Sequence, residues 1–222
     1  MRFVSIDVLK DLGSGKFLID IEGKQQQALS KKPLQENATY FAKYLTNKDP
    51  NKPALLSKLI KLPNMIHNKT FFKEYTFDTK EILHALKNPK ELQQQLLEKL
   101  ANAPTKEHFS QLSPLLLSLH HQVFTFPFVF YEHLGIFQLK KRYNKKSKKT
   151  TLEFYALLEN LGAISGVVFE NKVELHVVYE EIKDFLEQHE KELPITLYVS
   201  IVESIEPLFD TTPTNQLLDI KT

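Results

Sequence analysis

No cysteine occurs among the 222 residues. That absence removes disulfide scaffolds, thiol nucleophiles, thiolate zinc sites and iron–sulfur clusters together. Glycine is scarce as well, at six residues, which excludes collagen-like and glycine-repeat architectures. Long apolar runs are missing: none approaches the ~18 residues of a membrane helix, so no membrane insertion is expected. The opening Met1-Arg2-Phe3-Val4-Ser5-Ile6 meets Asp7, Lys10 and Asp11 before an apolar signal region develops. The cytoplasm is the expected compartment, with export by a route without leader cleavage left open. The formal net charge of +2 gives no reason to expect a general polyanion binder.

What is present is an ordinary folded-domain balance, 42% hydrophobic and 25% charged. At this length a core stands without cross-links, since a 150-residue domain buries ~70% of its unfolded surface. Charge is unevenly placed. Lys140, Lys141, Arg142, Lys145, Lys146, Lys148 and Lys149 put seven positive charges into ten residues, whereas Glu170 to Thr222 carries 12 acids against four lysines, a local net of −8. A basic run of this density attracts phosphate or an acidic partner. As a solvated hairpin tip it would instead keep flanking strand edges from pairing with other chains. The second reading is favoured, because Tyr143 is the one aromatic within the run.

Three segments and a tail follow from the patterning. Residues 1–50 read as a small β-rich module, a barrel or sheet. Phe3, Ile6 and Val8 open an extended stretch, Gly13-Ser14-Gly15 turns it, and Phe17-Leu18-Ile19-Asp20-Ile21 returns. A further stretch alternates through Tyr40, Ala42 and Tyr44. Residues 51–122 read as helical. Pro53 sits at a helix start with Leu55, Leu56, Leu59 and Ile60 on one face. Asp78-Thr79-Lys80-Glu81 is a capping box, and Leu92, Leu96 and Leu100 continue at helical spacing. Thr105 caps a further helix in which Pro114 should force a kink or restart.

Residues 123–209 read as an α+β domain. Phe124, Phe126, Phe128 and Phe130 alternate strictly, which in a strand places four rings on one face. Leu134-Gly135 turns into Ile136 to Tyr143, followed by a strand near Leu152 to Leu158. Then come Ile164 to Phe169, Val173 to Val178, a helix from Tyr179 to Glu192, and a last strand from Ile195 to Val202. The expected fold is α+β overall: an N-terminal small β-barrel or sheet, central helices, and a mainly antiparallel C-terminal sheet with a covering helix. Residues 210–222 read as a mobile tail.

The stretch from Phe124 to Val202 resembles the C-terminal domain of flagellar hook-length control proteins. The matching features are Phe126-Pro127-Phe128 in an opening hairpin, the strand Leu152 to Leu158, the Asn160-Leu161-Gly162 corner, the hairpin Val167 to Val178, then a helix and final strand. In that family a Leu-Gly corner joins an extended stretch to the next strand, and Leu161 and Gly162 fit those positions. Upstream, Gly15-Lys16-Phe17-Leu18-Ile19 with Ala28-Leu29-Ser30 and Pro33-Leu34 is similar to a small β-module that precedes the domain in some relatives. Together these cover somewhat more than half of the chain. The resemblance implies a non-enzymatic regulator exported by the flagellar type III apparatus, whose C-terminal domain contacts the export-gate switch protein. It implies no cofactor. The family's Pro/Ser/Gln-rich ruler segment has no counterpart here, so export-gate or chaperone-like binding is implied rather than length measurement. On physical grounds the edge of the Phe124 to Tyr143 hairpin and the seven basic residues are the candidate docking surface.

Catalytic patterns are incomplete. Gly13-Ser14-Gly15-Lys16 lacks the earlier glycine and following hydroxyl of a phosphate loop. Glu81-x-x-His84 lacks the second copy a dinuclear site needs. His120-His121 are adjacent and diverge by about 100° on a helix. No metal site and no catalytic residue is assigned. The alternative function is a nucleic-acid-binding adaptor that combines the small barrel with the basic loop 140–149.

Overall fold

A computed structural model describes residues 2–21, 23–45, 53–63, 75–130, 133–144, 148–158 and 161–211. Five N-terminal strands are β1 (Arg2–Gly13), β2 (Lys16–Ile21), β3 (Lys24–Ser30), β4 (Thr39–Leu45) and β5 (Ala54–Lys61). They close into a barrel of order β1-β2-β3-β5-β4, with β3 and β5 parallel. This is the strand order of an OB-type Greek-key barrel. Alternation along β2 turns Phe17, Ile19 and Ile21 inward, where they meet Val4, Ile6 and Val8 of β1. Gly13-Ser14-Gly15 form the β1–β2 turn, all three at positive φ, and a Cβ on Gly15 would lie 2.9 Å from the Ser30 carbonyl.

β5 corrects the helix expected from Pro53. The residues Leu55, Leu56, Leu59 and Ile60 lie in a strand that pairs with both β3 and β4. The register slips between Phe41 and Lys43 of β4, opposite Lys58, whose φ is +47°. This β-bulge interrupts the period of two. Leu56 and Leu59, three residues apart, thus both pack on the barrel core, while Ile60 turns to the sheet, which gives the apolar spacing of a helix.

The central helices are α1 (Thr79–Lys87), α2 (Pro89–Ala101) and α3 (Lys106–His120). Asp78 accepts from the Glu81 amide while the Glu81 carboxylate accepts from the Asp78 amide, completing the capping box. Of the kink or restart expected at Pro114, the restart does not occur: α3 runs continuously through it. Proline leaves the carbonyl four residues back without its amide donor, and the Ser113 hydroxyl donates to that Ser110 carbonyl at 3.4 Å.

The C-terminal sheet has the order β11-β10-β9-β8-β7-β6. Its strands are β6 (Phe124–Phe130), β7 (His133–Asn144), β8 (Lys149–Leu158), β9 (Gly162–Phe169), β10 (Lys172–Val177) and β11 (Thr196–Ile201). Only β10 and β11 run parallel, joined through α4 (Glu180–Gln188). Gly135 is not a turn residue as expected. It pairs with Phe128 within the ladder, and a Cβ there would run into the Phe128 ring. The α1–α3 helices pack on the β6–β7 part of the sheet through Leu92, Leu96, Leu112 and Leu115 against Phe126 and Leu139. Ile182 of α4 packs on Val173, Leu175 and Val177.

Barrel and sheet share one core: Phe41, Ile60 and Leu62 pack with Leu157, Ala163 and Tyr179. At its centre Gly162, φ +76°, has its Cα 's open side filled by the rings of Phe41 and Tyr179, 2.9 and 3.2 Å from a virtual Cβ. Gly162→Ala is therefore expected to cost about 1–3 kcal/mol, combining left-handed strain with the ring contacts. Gly23→Ala, at φ +83° with open space, isolates the backbone part at roughly 1–2 kcal/mol. Urea unfolding of both variants checks the difference; equal losses would mean the rings give way freely.

Candidate functional site

The basic hairpin is where the sequence points first. Strand alternation divides it: Lys140 and Arg142 share one face of β7, and Lys141 lies on the other. Arg142 Nε donates to Glu153 at 2.8 Å and Lys149 Nζ to Glu170 at 3.0 Å. Lys148 and Lys149 are exposed, while Lys145 and Lys146 lie outside the described residues. The run is thus a partly neutralised β7–β8 tip. It also stands at the far end of β8 from the barrel, which contacts the sheet at Gly162. The length of β8 separates them by on the order of 30 Å, so loop and barrel do not form one continuous surface.

The edge of the β6–β7 hairpin is also less open than expected. β6 is an edge strand, but Pro127 contributes no N–H and its carbonyl accepts from the Phe77 amide at 3.0 Å. The Phe77 ring also packs edge-on to Phe126, centroids 5.2 Å apart. Proline and a covering segment are standard ways of blunting an edge.

One feature escaped sequence reading because it depends on register. Thr125, Gln138, Tyr155, Ser165, His176 and Ser200 are consecutive cross-strand partners across all six strands. This polar row passes from fully buried at Gln138 and Tyr155 to exposed at Ser200. The Gln138 amide donates to the Phe209 carbonyl at 2.7 Å, and the Phe209 amide donates back to its oxygen at 3.2 Å. The chain is thereby held to the sheet at Phe209; of the tail expected at 210–222, residues 212–222 lie outside the described residues. Burial pushes the Tyr155 phenol well above its ordinary pKa, with Asp210 adding to the shift. Its hydroxyl has no partner among the described residues.

The barrel–sheet joint carries the other polar contacts. The Tyr179 hydroxyl donates to the Lys58 carbonyl at 2.6 Å, and Lys58 Nζ donates to the Val178 carbonyl at 3.4 Å. Lys43 Nζ donates to Glu181 at 2.6 Å. This hydrogen bond, followed by the residue's own backbone amide, holds the Glu181 carboxyl below its ordinary range.

The histidine patterns resolve into helix contacts. His84 pairs with Glu91 at 3.0 Å, and Glu81 belongs to the capping box. His121 packs on Phe209 with the rings tilted and their centroids 5.4 Å apart. No group of three His, Asp or Glu able to hold a metal occurs among the described residues. Among these residues no helix is long and apolar enough to cross a membrane. The chain matches no family model, no curated protein and no solved structure.

Two predictions follow from these contacts. Gln138→Ala should cost about 1–3 kcal/mol by stranding the Phe209 backbone groups, and hydrogen exchange should rise at Phe209; unchanged exchange would contradict the clamp. The Lys43–Glu181 pair should stabilise the fold above the unfolded carboxyl pKa and lose its effect as pH falls through the depressed folded value. Glu181→Gln should therefore cost up to about 1 kcal/mol near neutrality, with the two stability curves merging in acid. Parallel curves would assign the loss to packing instead.

Proposed function

We propose that the chain is a non-enzymatic binding protein of the flagellar type III export system, of the hook-length control type. It docks through its C-terminal sheet to the cytoplasmic domain of the export-gate switch protein. The observation that supports this reading is the order of elements after Lys149: strand β8, the Leu161-Gly162 corner, the β9–β10 hairpin, helix α4 and the closing strand β11. The corner is demanding rather than incidental, because Gly162 alone accommodates both positive φ and the Phe41 and Tyr179 rings. Such a corner holds β8 and β9 in register while the barrel packs behind them.

A nucleic-acid adaptor draws less support. Single-strand binding needs aromatic platforms as well as positive charge. The exposed positions of β3 carry Lys24, Gln25 and Gln27, and Phe17 of β2 is buried in the barrel.

Titration calorimetry of the full chain with the purified cytoplasmic domain of the switch protein tests the proposal. Saturable binding, together with altered hook length in a deletion strain, is the expected outcome. Normal hooks and filaments in that strain and no heat of binding would overturn it.

A further inference from the structure

The two edges of the C-terminal sheet are treated differently. β6 carries Pro127 and is covered by Phe77. β11, Thr196-Leu197-Tyr198-Val199-Ser200-Ile201, holds no proline and no charge, and it pairs with β10 alone. Natural edges usually carry a lysine, a proline, a bulge or a cover; among the described residues this strand has no proline, lysine or bulge, and its edge is covered only where Glu190 reaches the Leu197 amide.

Its open groups can be assigned. The Thr196 amide donates to the Asn171 carbonyl and the Val202 amide to the Val177 carbonyl. Alternation in a parallel ladder then turns the backbone groups of Thr196, Tyr198 and Ser200 towards β10. Those of Leu197, Val199 and Ile201 point outward. The Leu197 amide is taken by Glu190 Oε1 at 3.1 Å. The outward amides of Val199 and Ile201 have no partner among the described residues. Tyr198 and Ile201 are 50% and 39% exposed beside them.

Charge decides what fits this edge. Glu190 and Glu192 precede the strand, and Glu203 and Glu206 follow it, with Lys191 between the first two. The cation nearest the strand itself is Lys172 of β10, 5.9 Å over the Tyr198 ring, so the acids outnumber the bases over the two ends together. A second copy pairing edge to edge would bring these acidic ends together, which disfavours it. We infer that β11 is a strand-addition site for an extended, lysine- or arginine-bearing peptide segment of another protein, whose backbone pairs with Val199 and Ile201 and whose cations meet the acidic ends. This inference goes beyond the export reading and stands whether or not that reading holds.

The test uses the full chain and three synthetic peptides: alternating lysine and valine, alternating glutamate and valine, and the lysine peptide interrupted by proline. Fluorescence anisotropy should show binding of the first peptide only, and amide exchange should slow at Val199 and Ile201. Val199→Pro, which removes an outward amide, should abolish binding. Should that variant fail to fold, Glu192→Lys with Glu203→Lys leaves the backbone intact and should weaken binding roughly tenfold or more. Equal binding of the acidic or proline-interrupted peptide, unchanged exchange at Val199 and Ile201, or indifference to charge reversal would each overturn the assignment. So would a dimer that dissociates on Val199→Pro, since the edge would then belong to a second copy.

Discussion

The packing of Phe41 and Tyr179 around Gly162 is the constraint on which the rest of the architecture depends. Barrel and sheet each bury their own apolar residues, yet their relative placement is set where these two rings close over a corner lacking a side chain. Phe41 and Tyr179 are both 1% exposed, and burial of a side chain of this kind contributes about 1.5–3 kcal/mol. The neighbouring Lys43–Glu181 pair leaves its glutamate 45% exposed, where such a pair contributes about 0–1 kcal/mol. Apolar burial therefore holds the joint, and the hydrogen bonds of Lys58, Tyr179 and Lys43 orient it. The Lys58 bulge belongs to the same device, because the displaced backbone presents the carbonyl that Tyr179 requires.

The joint also distributes exposure across the sheet. With α1–α3 over the β6–β7 part, α4 over β10, and the Ile205–Phe209 segment drawn in by Gln138, burial along the polar row falls steadily towards β11. The covered end is rigid core. The uncovered end has open backbone groups between acidic flanks, a surface suited to recognising a chain segment. The protein-binding role proposed above draws on this asymmetry of covering, not on any concentration of reactive side chains.

Several elements were legible because one local rule dominated them. The four-phenylalanine alternation marked β6, the Asp78–Glu81 box marked α1, and Val173 to Val178 marked β10. Others were not. β3 reads Lys-Gln-Gln-Gln-Ala-Leu-Ser, too polar to announce a strand, and it is held by pairing on both sides. β5 mimicked a helix because a bulge reset its alternation. Pro114 looked like a break, but a serine hydroxyl supplies the stranded carbonyl with a donor. The basic run looked like one patch; strand geometry splits it and acids from β8 and the β9–β10 turn answer two of its charges.

What the residue order by itself determined was composition-level class, the α+β succession and the local stops and starts, since these depend on neighbours within a few positions. Which side chains meet across strands, that Gln138 clamps Phe209, that the barrel seats on Gly162, and that β11 is, among the described residues, the more open edge were decided only by tertiary structure. The reason is that register and covering are long-range properties: a single-residue slip in pairing exchanges the two faces of a strand, and nothing within that strand records who its neighbours will be.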